Sequence, residues 1–152
     1  VLDGLWAAVG ERVQAKVASD SEQALLKKIR EEWADSTPPT LSLSPTPSSL
    51  WPPNHKLVPV TVTVNVTDDQ DPGPDVKLVS ITCNDACDPA QDIAGATLNA
   101  DDRDFELRAE RLGTGSGRTY TITYSATDAA GNTGTAATTV SVPHDQGIGK
   151  KK

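Results

Sequence analysis

The stretch that decides the fold is Thr119–Val142, TYTITYSATDAAGNTGTAATTVSV. Its first half alternates strictly. Tyr120, Ile122, Tyr124 and Ala126 share one parity, and Thr119, Thr121, Thr123 and Ser125 the other. Successive side chains of a strand point to opposite faces, so this pattern describes a half-buried strand. Residues 135–142 are rich in Thr and Val and end on Val140 and Val142, a second strand. Between them, Asp128-Ala-Ala-Gly131-Asn132-Thr-Gly134 supplies residues that tolerate positive φ or cap a turn with a side-chain oxygen.

Five further strand candidates lie N-terminal to this hairpin: residues 40–43, 57–67 (LVPVTVTVNVT), 76–83 (VKLVSITC), a weak one at 93–98, and 105–111 (FELRAER). Turn signals separate them every 8–12 residues or so, the rhythm of an Ig-like sandwich. The expected fold is mainly β, an Ig-like antiparallel β-sandwich of about seven strands. It occupies residues 54–143 and begins near residue 40. Aromatic residues make up 4% of the chain, so the core falls to Val, Ile, Leu and Ala. The Cys-Trp-Cys pin between sheets is absent, which leaves the core to hold itself together.

Residues 1–36 are expected to be helical. Leu2, Leu5, Trp6, Val9, Val13 and Val17 recur at three- and four-residue intervals. Ser19 with Glu22 has capping-box form, and Leu25, Leu26, Ile29 and Trp33 share one face of a second helix that Pro38-Pro39 stops. The pair is either an αα-hairpin, left from a preceding domain or packed on the sandwich, or a partner-binding element. Residues 37–53 form a Pro/Ser/Thr-rich linker and edge strand: six of the eleven prolines fall between Ser36 and Pro53. Residues 144–152 are expected to be a flexible tail.

Tyr124-Ser-Ala-Thr-Asp128-Ala-Ala-Gly131-Asn132-Thr resembles the closing hairpin of hyalin-repeat (HYR-like) and bacterial immunoglobulin-like domains. Leu50-Trp51-Pro-Pro-Asn54-His55-Lys56, Leu107-Arg-Ala-Glu-Arg111 and Val142-Pro-His-Asp-Gln146 resemble segments that recur in secreted bacterial proteins carrying such modules. The resemblance spans roughly Thr40 to Gln146. It implies a secreted or cell-surface location and a role as stalk, adhesive unit or accessory domain. The implied partners are neighbouring domains of the same polypeptide, or a protein or glycan surface.

The net charge of −7 is unevenly spread: residues 37–143 hold 13 acids against 6 bases, and residues 1–36 hold 7 against 5. An acidic surface argues against nucleic acid, whose phosphates need a basic footprint, and favours divalent cations or plain solubility. No apolar run approaches the ~20 residues of a spanning helix. No signal peptide is present, so a mature protein or an excised fragment is expected.

With strands lettered A to G, the B–C, D–E and F–G loops of such a sandwich gather at one pole. Those loops carry Asp68, Asp69, Asp71, Asp101, Asp102, Asp104 and Asp128, candidate ligands for Ca2+, which takes six to eight oxygens. The competing reading is that these aspartates cap turns and solubilise them. The other pole gathers Trp51 and His55, the Cys83–Cys87 loop, and the Gly113–Gly117 connection, which lacks the Lys and helix of a phosphate loop. Trp51 either plugs the end of the sandwich or offers a stacking platform for sugar or protein. Cys83 and Cys87 suit a short-loop disulfide of an exported domain. A zinc site would need His55 or His144 as well. Catalysis finds little support: Gly115-Ser116-Gly117 lacks the spacing of a nucleophile elbow, and the paired acids sit in open loops. A non-enzymatic module is expected.

Overall fold

The computed structural model describes residues 20–29 and 33–145. The chain divides into two units, Val1–Ser36 and Thr37–Lys152. In the first, residues 20–29 form helix α1, on which Leu25, Leu26 and Ile29 are exposed. The expected helix over 2–18, the Ser19 cap and the tail beyond residue 145 lie outside the described residues.

The second unit is a seven-stranded antiparallel sandwich. Its strands are β1 (Thr40–Thr46), β2 (Leu57–Thr67), β3 (Asp75–Cys83), β4 (Ile93–Ala94), β5 (Asp104–Arg108), β6 (Gly117–Thr127) and β7 (Thr133–Pro143). One sheet has the order β1-β2-β5-β4 and the other β3-β6-β7. Lettered A to G, this is the ABED and CFG arrangement of a constant-type Ig domain. The expected hairpin over residues 119–142 is the β6–β7 pair, in register from Gly117↔Pro143 to Thr127↔Thr133.

Three elements differ from expectation. The fourth strand has two residues rather than six, ending where Gly95 takes a positive φ of 75°, and one helical turn, α2 (Pro89–Asp92), precedes it. Asp88 caps that turn through Ala90 N, and Pro89 stands at the first helical position, where its missing N–H costs nothing. The fifth strand stops at Arg108, three residues early. The first runs on to Thr46, after which Ser48 to Leu50 switches sheets: Leu50 N donates to Ser141 O, and Ser141 N to Ser48 O.

The core follows the alternation. Tyr120, Ile122, Tyr124 and Ala126 on β6 meet Val60, Val62 and Val64 on β2 and Phe105 and Leu107 on β5, all buried. On β3 the inward residues are Val76 and Leu78, then Ile81, a change of parity that a bulge between Leu78 and Ser80 absorbs. The bulge turns Val79 outward and keeps Ile81 inside. Pro59 is tolerated in β2 because β1 pairs only with Thr61 to Thr67, leaving β5 as the sole neighbour there. Two tyrosines span the layers with their hydroxyls: Tyr120 Oη donates to Arg108 O at 2.8 Å, and Tyr124 Oη to Asp102 O at 2.6 Å. Burial, with Asp102 and Asp101 nearby, pushes the Tyr124 phenol up to about 12, so it stays a neutral donor.

Candidate functional site: two poles of the sandwich

The expected meeting of the B–C and F–G loops is visible in one bond, Ala129 N donating to Asp71 Oδ2 at 2.9 Å across 58 positions of sequence. Asp68 organises the first of these loops. Its Oδ1 accepts from Gln70 N and Asp71 N, while Asp71 Oδ1 accepts from Gly73 N. Asp128 organises the second: it accepts from Asn132 N at Oδ1 and from Asn132 Nδ2 at Oδ2, both at 2.8 Å. Burial raises the cost of charge on Asp128, but these bonds, with backbone donors at Gly131 and Ala130, hold its carboxyl below the usual value. Asp68 and Asp128 present carboxylate oxygens within 4.8 Å of one another. Asp68 Oδ2 is shielded from solvent and, among the described residues, accepts no hydrogen bond.

The D–E acids have other occupations. Asp101 grips Arg103 through Nε at 2.8 Å and Nη2 at 2.9 Å. Asp102 accepts from Thr97 N and Asp104 N, and Asp104 accepts from Thr61 Oγ1. Their loop runs beside β3, where Leu78 N donates to Ala100 O and Asn99 N to Leu78 O. Asp69 lies exposed, with one oxygen 3.3 Å from the Thr37 hydroxyl. Of the seven candidate ligands, the structure brings the carboxylates of Asp68 and Asp128 together, and Asp71 reaches the same turn only through its bond from Ala129 N.

At the opposite pole, Leu50 rather than Trp51 closes the sandwich. Leu50 is 1% exposed within the core, and Trp51 is 43% exposed. The correction to the plugging reading has a simple cause: the bonds of Ser48 and Leu50 to Ser141 fix which side chain of the adjacent pair turns inward. His55 adopts φ of 61° with its side chain 70% exposed, 3.5 Å from Glu110. Cys83 and Cys87 form the expected disulfide, with Cα atoms 6.5 Å apart. Both sulfurs are thereby withdrawn from metal ligation. His144 lies with Nε2 3.0 Å from Gly113 O and Nδ1 2.9 Å from Asp145. Both ring nitrogens face acceptors. The Asp145 bond first, and the carbonyl second, raise the imidazole above its usual value.

Beneath this pole lies a buried ion network that the sequence reading did not single out. Arg118, 2% exposed, meets Asp85 at 2.6 Å, Asp92 at 3.1 Å and Tyr120 Oη at 3.0 Å. Arg108 reaches the other oxygen of Asp92 at 3.0 Å, and donates to His55 O and Gln91 O. The signal was present: Arg118 has the parity of Tyr120 and Ile122, so a strand extended by two residues must bury it. A buried charge requires a partner, and the acidic residues Asp85 and Asp92 of the segment between β3 and β4 supply it.

Among the described residues no helix is long and apolar enough to cross a membrane. Comparison of the chain with protein-family models, with curated proteins and with solved structures finds no match.

Proposed function

We propose that the chain is a non-catalytic extracellular Ig-like module, a structural spacer or adhesion unit of a larger secreted bacterial protein. The observation that carries this reading is the path of the chain. Thr40 enters beside Thr67 and the Asp68 loop, whereas Pro143 leaves beside Gly117, at the far end of β6 and β7. Eleven strand residues at about 3.3 Å each separate these ends by roughly 35 Å. Entry and exit at opposite poles let a module extend a polypeptide rather than fold it back. The parallel bridge Ser49↔Ser141 joins the first and last segments, so tension between the ends loads its hydrogen bonds in shear. The HYR-like resemblance of the closing hairpin and the disulfide favour the same reading, export included. Pulling on handles at residues 37 and 145 in a single-molecule trap should give one cooperative rupture. Smooth extension without a force peak would overturn the spacer role.

Calcium binding at the acidic pole refines this reading. Its support is the shielded Asp68 Oδ2, an acceptor without a donor among the described residues, close to the Asp128 carboxylate. Asp68, Asp71 and Asp128 are oxygen donors of the kind this hard cation takes. Ca2+ would neutralise their charge and clamp the B–C loop to the F–G turn. A ligand that binds only the folded state adds about 2.7 kcal/mol at a hundredfold excess over its dissociation constant. A melting midpoint that rises with millimolar calcium and falls with chelator, but ignores magnesium, supports it. An unchanged midpoint leaves these acids as turn residues.

The second reading is an accessory carbohydrate- or protein-binding domain of a secreted hydrolase, favoured by the exposure of Trp51 and of His55 four residues later in the chain. Polysaccharide pull-down that is lost in Trp51→Ala selects it.

A further inference from the structure

We propose that the Cys83–Cys87 disulfide is a redox latch: it holds Asp85 on the buried Arg118 and makes the stability of the sandwich conditional on an oxidising compartment. The bridge encloses Asn84, Asp85 and Ala86. Asp85 is the anion that meets Arg118 Nε, and both side chains are withdrawn from water. Its second oxygen accepts from Leu112 N at 3.3 Å. Asn84 Oδ1 accepts from Thr119 N at 2.7 Å, and Asn84 N donates to Thr119 O. A five-residue loop therefore docks on strand β6 and on the 109–116 connection through its own backbone and side chains.

Arg118 is held away from solvent, because its Cα sits on the inward parity of β6, paired with Val142 of β7, and its side chain is buried. Two arginines and two aspartates, Arg108, Arg118, Asp85 and Asp92, balance one another in this layer. Asp92 is fixed by α2, where Asp88 N donates to it. Asp85 has no such element. It stands in a turn between β3 and α2 whose only covalent constraint is the disulfide. Removing one member of a buried ion set leaves an uncompensated charge, the costly event for such a network. An opened loop lets Asp85 exchange Arg118 for water.

Both cysteines are partly exposed, so a soluble dithiol can reach the bridge. The dithiol passes two electrons and two protons to it; the S–S bond breaks to give two thiols, and the reductant closes to its own disulfide.

The test is a thermal melt of the wild-type chain and of Asp85→Asn, each oxidised and each in excess dithiothreitol. For oxidised protein, Asp85→Asn should melt about 15 °C below wild type, from the cost of an unbalanced buried charge. In the reduced state the gap should close, because Asp85 has already left Arg118. An equal gap in both states overturns the latch. Should Asp85→Asn fail to fold, hydrogen exchange of the wild type decides. Reduction should speed exchange at Leu112 N and Thr119 N by about tenfold or more and leave Ala129 N, at the other pole, unchanged. Unaltered exchange at Leu112 and Thr119 overturns it equally.

Discussion

Asp71 Oδ2 accepts a hydrogen bond from Ala129 N at 2.9 Å, and this bond fastens the loop after β2 to the turn before β7. Because Asp71 Oδ1 is already engaged by Gly73 N, the carboxylate cannot rotate away without losing a second bond. Asp71→Ala should therefore lower stability by about 1–2 kcal/mol, the worth of a charge-assisted bond at a partly exposed site. Urea titration with an unchanged m-value is the measurement. A loss below the error of extrapolation would mean that the two loops are held together by something else.

Leu50 and Trp51 make an adjacent pair with opposite expectations. Leu50→Ala opens a cavity in the buried core cluster to which Leu50 belongs and should cost about 2–5 kcal/mol. Trp51→Ala removes a side chain that is half in water and should stay within about 0.5 kcal/mol of wild type. Denaturation curves of the two variants side by side check the assignment of the plug.

Gly134 has no room for a side chain, since an added Cβ would overlap the Pro39 carbonyl oxygen, with the Leu41 side chain also in contact. Gly134→Ala must move backbone and should cost about 1–3 kcal/mol or more. Gly73 faces open space, and Gly73→Ala should change stability by less than about 0.5 kcal/mol. Equal melting points for the two variants would contradict the close approach of the first strand to β7.

His144 gives a pH dependence of known sign. Its pKa is raised in the folded state, so the stabilisation is complete below the unfolded value of about 6.5 and disappears as pH rises through the folded value. Asp128 has the opposite sign. Its lowered pKa contributes stability above about 3.9, which is lost as pH falls through the folded value. Melting midpoints should thus decline from pH 6 to pH 8, and His144→Gln should flatten that slope. Asp128→Asn should flatten the acid limb alone.

Local pattern made much of the fold legible. The parity of Tyr120, Ile122 and Tyr124 gave the hairpin, the long alternating run at 57–67 gave β2, and the Asp128–Asn132 segment gave the turn between β6 and β7. These are properties of neighbours in sequence, where the two-residue period and turn chemistry act directly. The pairing of the cysteines was also readable, because so short a spacing in a turn leaves them little other choice of partner.

What the sequence left undecided involves partners far apart in the chain. The alternation assigns Arg118 an inward position, yet nothing local says that Asp85, 33 residues earlier, neutralises it; the packing of the C–D turn against β6 does. The run of aspartates made one pole look like a common ligand cluster. Tertiary structure divides it, giving Asp101, Asp102 and Asp104 to Arg103, to backbone donors and to Thr61, Asp71 to the Ala129 backbone, and leaving the carboxylates of Asp68 and Asp128 together. Leu50 and Trp51 are equally apolar in sequence, and only the bonds to Ser141 choose between them. A strand's period is set by its own backbone, whereas the partner of a buried charge or carboxylate is set by which loops the closed sandwich brings within about 3 Å.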